Sequence, residues 1–190
     1  LETTTSGGYN ARANMERPPR MTEQKTTSAS RITAWEIAAV ALAMGLALAL
    51  GFSNLSGPSF WHDELVHVFV AKHIAAEGWP ALPSGQFYPS SMAYNYLLGG
   101  VAALFGDGET AMRAPSVLLS AASVWLLYAL TRRLFGRSTA LVAAYALALS
   151  PWHVAWARQA RMYELQTAAY LLTLWFAWAG FNAKTSRRAA

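Results

Sequence analysis

Between Ile32 and Ser53 the chain carries a single charged residue, Glu36, in an otherwise apolar run. Wound as a helix at ~1.5 Å per residue, such a run crosses the roughly 30 Å of a hydrocarbon core. Further apolar runs at 114–131, 139–156 and 165–181 repeat the signal. The chain therefore reads as an all-α membrane protein with about four spans. Its composition agrees, since 54% hydrophobic residues, 13% charged residues and 8 Trp are too apolar for an ordinary soluble domain. Glu36 lies close enough to one end of its run to snorkel. The run is expected to be retained, because the core of a cleaved signal peptide is shorter. Pro151 is expected to bend the end of the 139–156 run.

The segments between the spans set the topology. Residues 1–31 are rich in Thr, Ser, Gly, Arg and Pro and poor in large apolar side chains, so they are read as a disordered basic tail. The stretch 54–113 is read as one outer loop, with Pro and Gly turns from Gly78 to Pro89. Within it, Met92 to Phe105 is short for a crossing and contains Asn95, Gly99 and Gly100. If that segment lies in the interface, eleven Lys and Arg fall on one side and Lys72, Arg113, Arg158 and Arg161 on the other. If it spans, the split is eight against seven. The positive-inside rule therefore favours an interfacial helix and a cytoplasmic N-terminus, with 183–190 as a basic cytoplasmic end. Lys and Arg sit in short clusters between apolar runs, which fits membrane edges and not nucleic acid. Without Cys there is no disulfide framework or thiolate metal site.

The densest chemistry is Phe60-Trp61-His62-Asp63-Glu64-Leu65-Val66-His67. Ser59 is the expected N-cap of a helix running to about Glu77, with Asp63 and Glu64 in its first turns. Such acids can simply complement the helix dipole, but the favoured topology puts them on the same face as Arg158-Gln159-Ala160-Arg161-Met162-Tyr163-Glu164. Charges at a membrane boundary call for a partner or a ligand. Arg158 and Arg161, three positions apart, would form a fork for a phosphate or a carboxylate if helical, with Tyr163 as a further donor. Pairing with Glu164 or with lipid headgroups is the competing reading. His62, Asp63 and His67 lack a shared zinc spacing, so a hard, oxygen-ligated ion is the better metal expectation.

Trp61-His62-Asp63-Glu64, the passages 105–107 and 113–116, the 132–136 turn, and Ser150-Pro151-Trp152-His153 running into Ala160-Arg161-Met162-Tyr163-Glu164 resemble bacterial family 39-like membrane glycosyltransferases. These belong to the GT-C superfamily, beside protein O-mannosyltransferases and the lipid A aminoarabinose transferase. The resemblance covers about 32–181. It implies a GT-C-type helical bundle with interfacial helices in the first outer loop, set in a bacterial inner membrane. It further implies inverting transfer of a sugar from a polyprenyl-phosphate donor to a glycan, lipid or protein acceptor on the extracytoplasmic side. Asp63, with Glu64 beside it, maps onto the essential acid of the first outer loop, and Glu164 onto a second acid. Asp63 and Glu164 are then the candidate ligands of a divalent cation, Mg or Mn. Where the aminoarabinose transferase has a further acid, this chain has Phe87-Tyr88-Pro89. Enzymes of this kind have more spans, so the chain is expected to be an N-terminal portion, inactive alone. The rival reading is a non-catalytic membrane scaffold or transporter fragment.

Overall fold

The computed structural model describes residues 32–188, so the expected tail at 1–31 lies outside the described residues. All regular structure among them is helical: α1 (Ala34–Phe52), α2 (His62–Glu77), α3 (Met92–Phe105), α4 (Glu109–Phe135), α5 (Arg137–Ala148), α6 (Pro151–Ala157) and α7 (Tyr163–Arg188). The protein is an all-α membrane protein. By length and composition α1 and α4 can each cross a membrane, and α5 with α6, joined at a 57° bend, has the length and apolarity of a third, either as one broken span or as a re-entrant loop. The expected fourth span lies within α7, where Gln166, Thr167 and Thr173 dilute the apolar run; α7 is not among the helices that qualify.

α4 is the axis, packed by α1, α3, α5, α6 and α7. α1 offers it a face of small residues: Val40, Ala43 and Ala47 meet Val124 and Tyr128, with Ala140, Ala144 and Ala148 of α5 closing the same cluster. Small side chains let helix backbones approach where no hydrophobic effect drives them together. Gly51 shows how close this packing is, because a Cβ there would lie 2.5 Å from Cγ1 of Val117. Leu126 and Leu130 of α4 pack on Ala168 and Leu171 of α7. Pro151 opens α6 at its first position and the bend falls at Leu149-Ser150, as the sequence predicts.

α2 and α3 form a hairpin beside the start of α4. α2 ends at Gly78 in the left-handed region, φ 82°, with its N–H bonded to the Ile74 carbonyl. The hairpin closes through Gly99, where a Cβ would lie 2.5 Å from Cγ2 of Ile74. At 14 residues, α3 is about 21 Å long, too short to cross. Its buried Tyr94 and Leu98 join Val68, Ala71, Met112 and Ala160 in one cluster. That cluster joins α2 and α3 to the turn between α6 and α7.

Two local expectations are corrected. Ser59 is not the N-cap of α2: the helix begins after Trp61, whose N–H is taken by the Glu64 carboxylate at 2.9 Å. Glu36 does not snorkel. It is fully buried, accepting from Thr33 N and Oγ1 (both 2.9 Å), Tyr128 Oη (3.1 Å) and Arg132 Nε (3.0 Å). A carboxylate with that many donors gains more by staying in place than by reaching for water.

Candidate active site

The adjacent acids of α2 have opposite fates, because successive residues of a helix point about 100° apart. Glu64 points inward and is fully buried. Its Oε1 accepts from Arg113 Nε (2.8 Å) and from the Ala160 amide (2.7 Å). Its Oε2 accepts from an Arg113 terminal nitrogen (2.8 Å) and from the Trp61 amide (2.9 Å). Burial pushes the Glu64 carboxyl up, but Arg113 and the two amides outweigh it and hold its pKa below the ordinary value. Arg113 is buried as well and uses all five N–H donors. Besides Glu64 it bonds the carbonyls of Leu55 and Pro58 (2.8 Å each) and Ser59 (3.2 Å), with Phe60 under its guanidinium. One ion pair thus ties the loop after α1, the first turn of α2, the start of α4 and the 158–162 turn.

Asp63 points outward. Its side chain is 67% exposed, and it is bonded by the guanidinium of Arg161. Arg161 also lies over the Tyr163 ring, with Cζ 4.9 Å from the centroid, and its Nε is buried without a hydrogen-bond partner. The structure therefore places Asp63, Arg161 and Tyr163 together. Arg158 is apart from them. Residues 158–162 form an irregular turn and not a helical one, so the two arginines do not make the expected fork. Arg158 instead makes one long bond, 3.5 Å, to the Asn54 carbonyl. It lines an open pocket of about 230 Å³ with Asn54, Leu55, Pro58, Trp61, Arg113, Ala155 and Gln159.

Glu164 also differs from its expected role. It is buried in the first turn of α7, with Oε1 3.1 Å from His153 Nδ1 of α6. Glu164 Oε2 and His153 Nε2 have no hydrogen-bond partner. Among the described residues no three His, Asp or Glu gather as a cation site. Asp63 faces a guanidinium where a divalent cation would need a further anionic ligand. The residues present do not fit a Mg or Mn site by themselves, and no step below is routed through one.

Three residues, Arg113, His67 and Asn95, have roles that the sequence reading did not assign. Arg113 is the hub of the site. His67, one turn after Asp63 on α2, is buried between the rings of Tyr88 and Tyr94. Asn95 Nδ2 donates to the Ser90 carbonyl at 2.8 Å, so its Oδ1 is the acceptor for His67 Nδ1 at 2.7 Å. His67 is thereby fixed as the Nδ1–H tautomer. Burial lowers its pKa, opposed by the Asn95 bond. An isolated ionisable residue beside an apolar run was the readable signal for Arg113, since such a residue needs a partner.

Residues 89–188 match the dolichyl-phosphate-mannose-protein mannosyltransferase family. The match takes in Arg113, Arg158, Arg161, Tyr163 and Glu164, while Asp63 and Glu64 lie ahead of it. No curated protein and no solved structure matches the chain.

Proposed function

The chain belongs to the dolichyl-phosphate-mannose-protein mannosyltransferase family, a family of membrane glycosyltransferases, and from that premise we propose that Asp63 is the general base of sugar transfer. The donor is a polyprenyl-phosphate sugar and the acceptor a hydroxyl of a glycan, lipid or protein on the extracytoplasmic face of a bacterial inner membrane. The observation that carries this reading is the division between the neighbouring acids. Glu64 has every lone pair engaged, whereas Asp63 is exposed and set against a cation from a second segment.

In this reaction Asp63 removes the acceptor's proton as the oxygen attacks the anomeric carbon, with inversion. The bond from that carbon to the phosphate oxygen breaks, and its electron pair leaves with the lipid phosphate. Arg161, with Tyr163, faces the charge that accumulates there, and Arg158 extends the positive surface along the neighbouring pocket. Glu64 and Arg113 touch no reacting atom in this scheme; they hold the Asp63 turn and the Arg161 turn in register.

The test is transfer of labelled sugar in membranes carrying the full reading frame, wild type against Asp63→Asn, at matched expression. General-base assistance is worth ~10²–10⁴-fold, so the variant should lose about that much turnover. Equal transfer by both removes Asp63 from the chemistry. Absence of transfer by the wild type across a panel of polyprenyl-phosphate donors overturns the enzyme reading.

A further inference from the structure

α6 carries a file of aromatic rings that neither the packing core nor the Asp63 chemistry explains. Trp152 and Trp156 sit one turn apart, with ring centroids 6.4 Å apart and planes 25° from parallel. Trp156 continues onto Tyr163 at 4.3 Å, and Tyr163 lies against the Arg161 guanidinium. Arg161 in turn holds Asp63. The file starts at a bare ring, Trp152 being 73% exposed, and passes through half-buried Trp156 and Tyr163. It is brought to the site by the 57° bend after α5, which turns α6 out of that helix's line.

A ligand that matches the whole file needs an apolar, flat-lying chain at one end and an anion at the other. An isoprenoid chain supplies a planar alkene in each unit, which packs on ring faces by dispersion. A phosphate supplies the charge that a guanidinium prefers. Tryptophans at a membrane edge also serve as interfacial anchors. An anchor, however, has no need to be stacked in a file that ends on the cation paired with the exposed acid.

The geometry points to this file as the seat of the donor's polyprenyl chain, with the phosphate at Arg161, the first isoprene units over Tyr163 and Trp156, and later units over Trp152. The inference rests on the transfer reading above and adds the path of the lipid, which enters sideways along α6. It also makes chain length a property read by residues outside the chemistry.

The experiment compares a long-chain polyprenyl-phosphate sugar with the corresponding geranyl-phosphate sugar, using the full reading frame in nanodiscs. Trp152 is exposed, so Trp152→Leu should fold. It should raise KM for the long-chain donor about tenfold, the scale of one lost apolar contact. Turnover and the geranyl donor's KM should stay unchanged, because the short chain ends before Trp152, and Trp152→Phe should behave as wild type. Equal losses with both donors, or none with either, overturn the assignment. Binding of sugar-free long-chain polyprenyl phosphate, read by native mass spectrometry, needs no transfer. Weaker binding by Trp152→Leu with phosphatidic acid binding unchanged supports the seat even if no sugar moves; equal weakening of both lipids makes the file an anchor and overturns it.

Discussion

The bundle contains the same device twice, at positions about 28 Å apart along α4. Near its end, Arg132 meets buried Glu36 of α1; near its start, Arg113 meets buried Glu64 of α2. Each glutamate is also the third residue of its helix and reaches back to the amide before the helix, Thr33 or Trp61. What differs is the partner drawn from elsewhere in the fold. Glu36 takes the hydroxyl of Tyr128, a side chain of the same bundle, whereas Glu64 takes the backbone amide of Ala160, next to Arg161. A similar ion pair therefore closes a bundle at one end and aligns two segments around an exposed acid at the other.

That contrast is broken most directly by removing each glutamate. Breaking a buried ion pair by removing one partner costs about 3–5 kcal/mol, so Glu64→Ala, which strips the pair from buried Arg113, should lower the melting temperature in detergent severely, and Glu36→Ala, whose Arg132 is partly exposed, should lower it less. Their effects on transfer should separate. Protein that survives Glu36→Ala should keep wild-type turnover per folded molecule, while Glu64→Ala should lose turnover and protection of the Ala160 amide against hydrogen exchange. Equal turnover in the two folded variants would show that Glu64 is as purely architectural as Glu36.

A smaller effect sharpens the role of the hairpin that carries Asp63. Gly99→Ala puts a Cβ against Ile74, and overpacking of this kind costs about 1–3 kcal/mol. Because the backbones of α2 and α3 must separate to relieve it, Asp63 and Glu64 should shift relative to Ala160. The expected outcome is a modest fall in melting temperature with a larger fall in turnover. Adding Ile74→Ala, which removes the Cγ2 methyl nearest the new Cβ, should recover part of the turnover; no recovery in the double variant removes the contact as the cause.

The sequence made the spans in α1 and α4, the end of α2 at Gly78 and the bend at Pro151 legible, because apolar length, a left-handed glycine and a missing amide act locally, whereas the span expected in α7 does not qualify. Counting Lys and Arg also placed the Asp63 loop and the Arg161 turn on one face, and the structure brings those segments into contact. The division of labour between Asp63 and Glu64 was not legible. It depends on the rotational phase of α2 against α4, which is set by Val68, Ala71, Tyr94 and Leu98 packing around Met112. The fork expected of Arg158 and Arg161 failed for a related reason, since spacing projects onto one face only if the turn is helical. Thr33-Ala34-Trp35-Glu36 did carry a capping-box pattern, which was the readable sign that Glu36 stays at the helix start.

The smallest effect is one of pH, and it sets the two ends apart again. The Asp63 end carries a second buried titratable group, His67, whose pKa burial lowers, with Asn95 opposing, the Arg161 charge lowering it and the Asp63 charge raising it. A histidine held neutral in the fold but free to protonate when unfolded contributes stability that is complete above the ordinary value of 6.5. That contribution is lost as pH falls from there through the folded value. Glu64, with its pKa held below 4.5, contributes stability that is complete above 4.5 and lost as pH falls through its own lower folded value. Acidification should therefore loosen the Asp63 end in two separate windows, the first belonging to His67. Replacing His67 by Gln, which cannot titrate, should flatten the melting temperature between pH 7 and the onset of the Glu64 window. An unaltered slope in that interval would assign the first window to another group and leave Glu64 as the acid-sensitive element of the site.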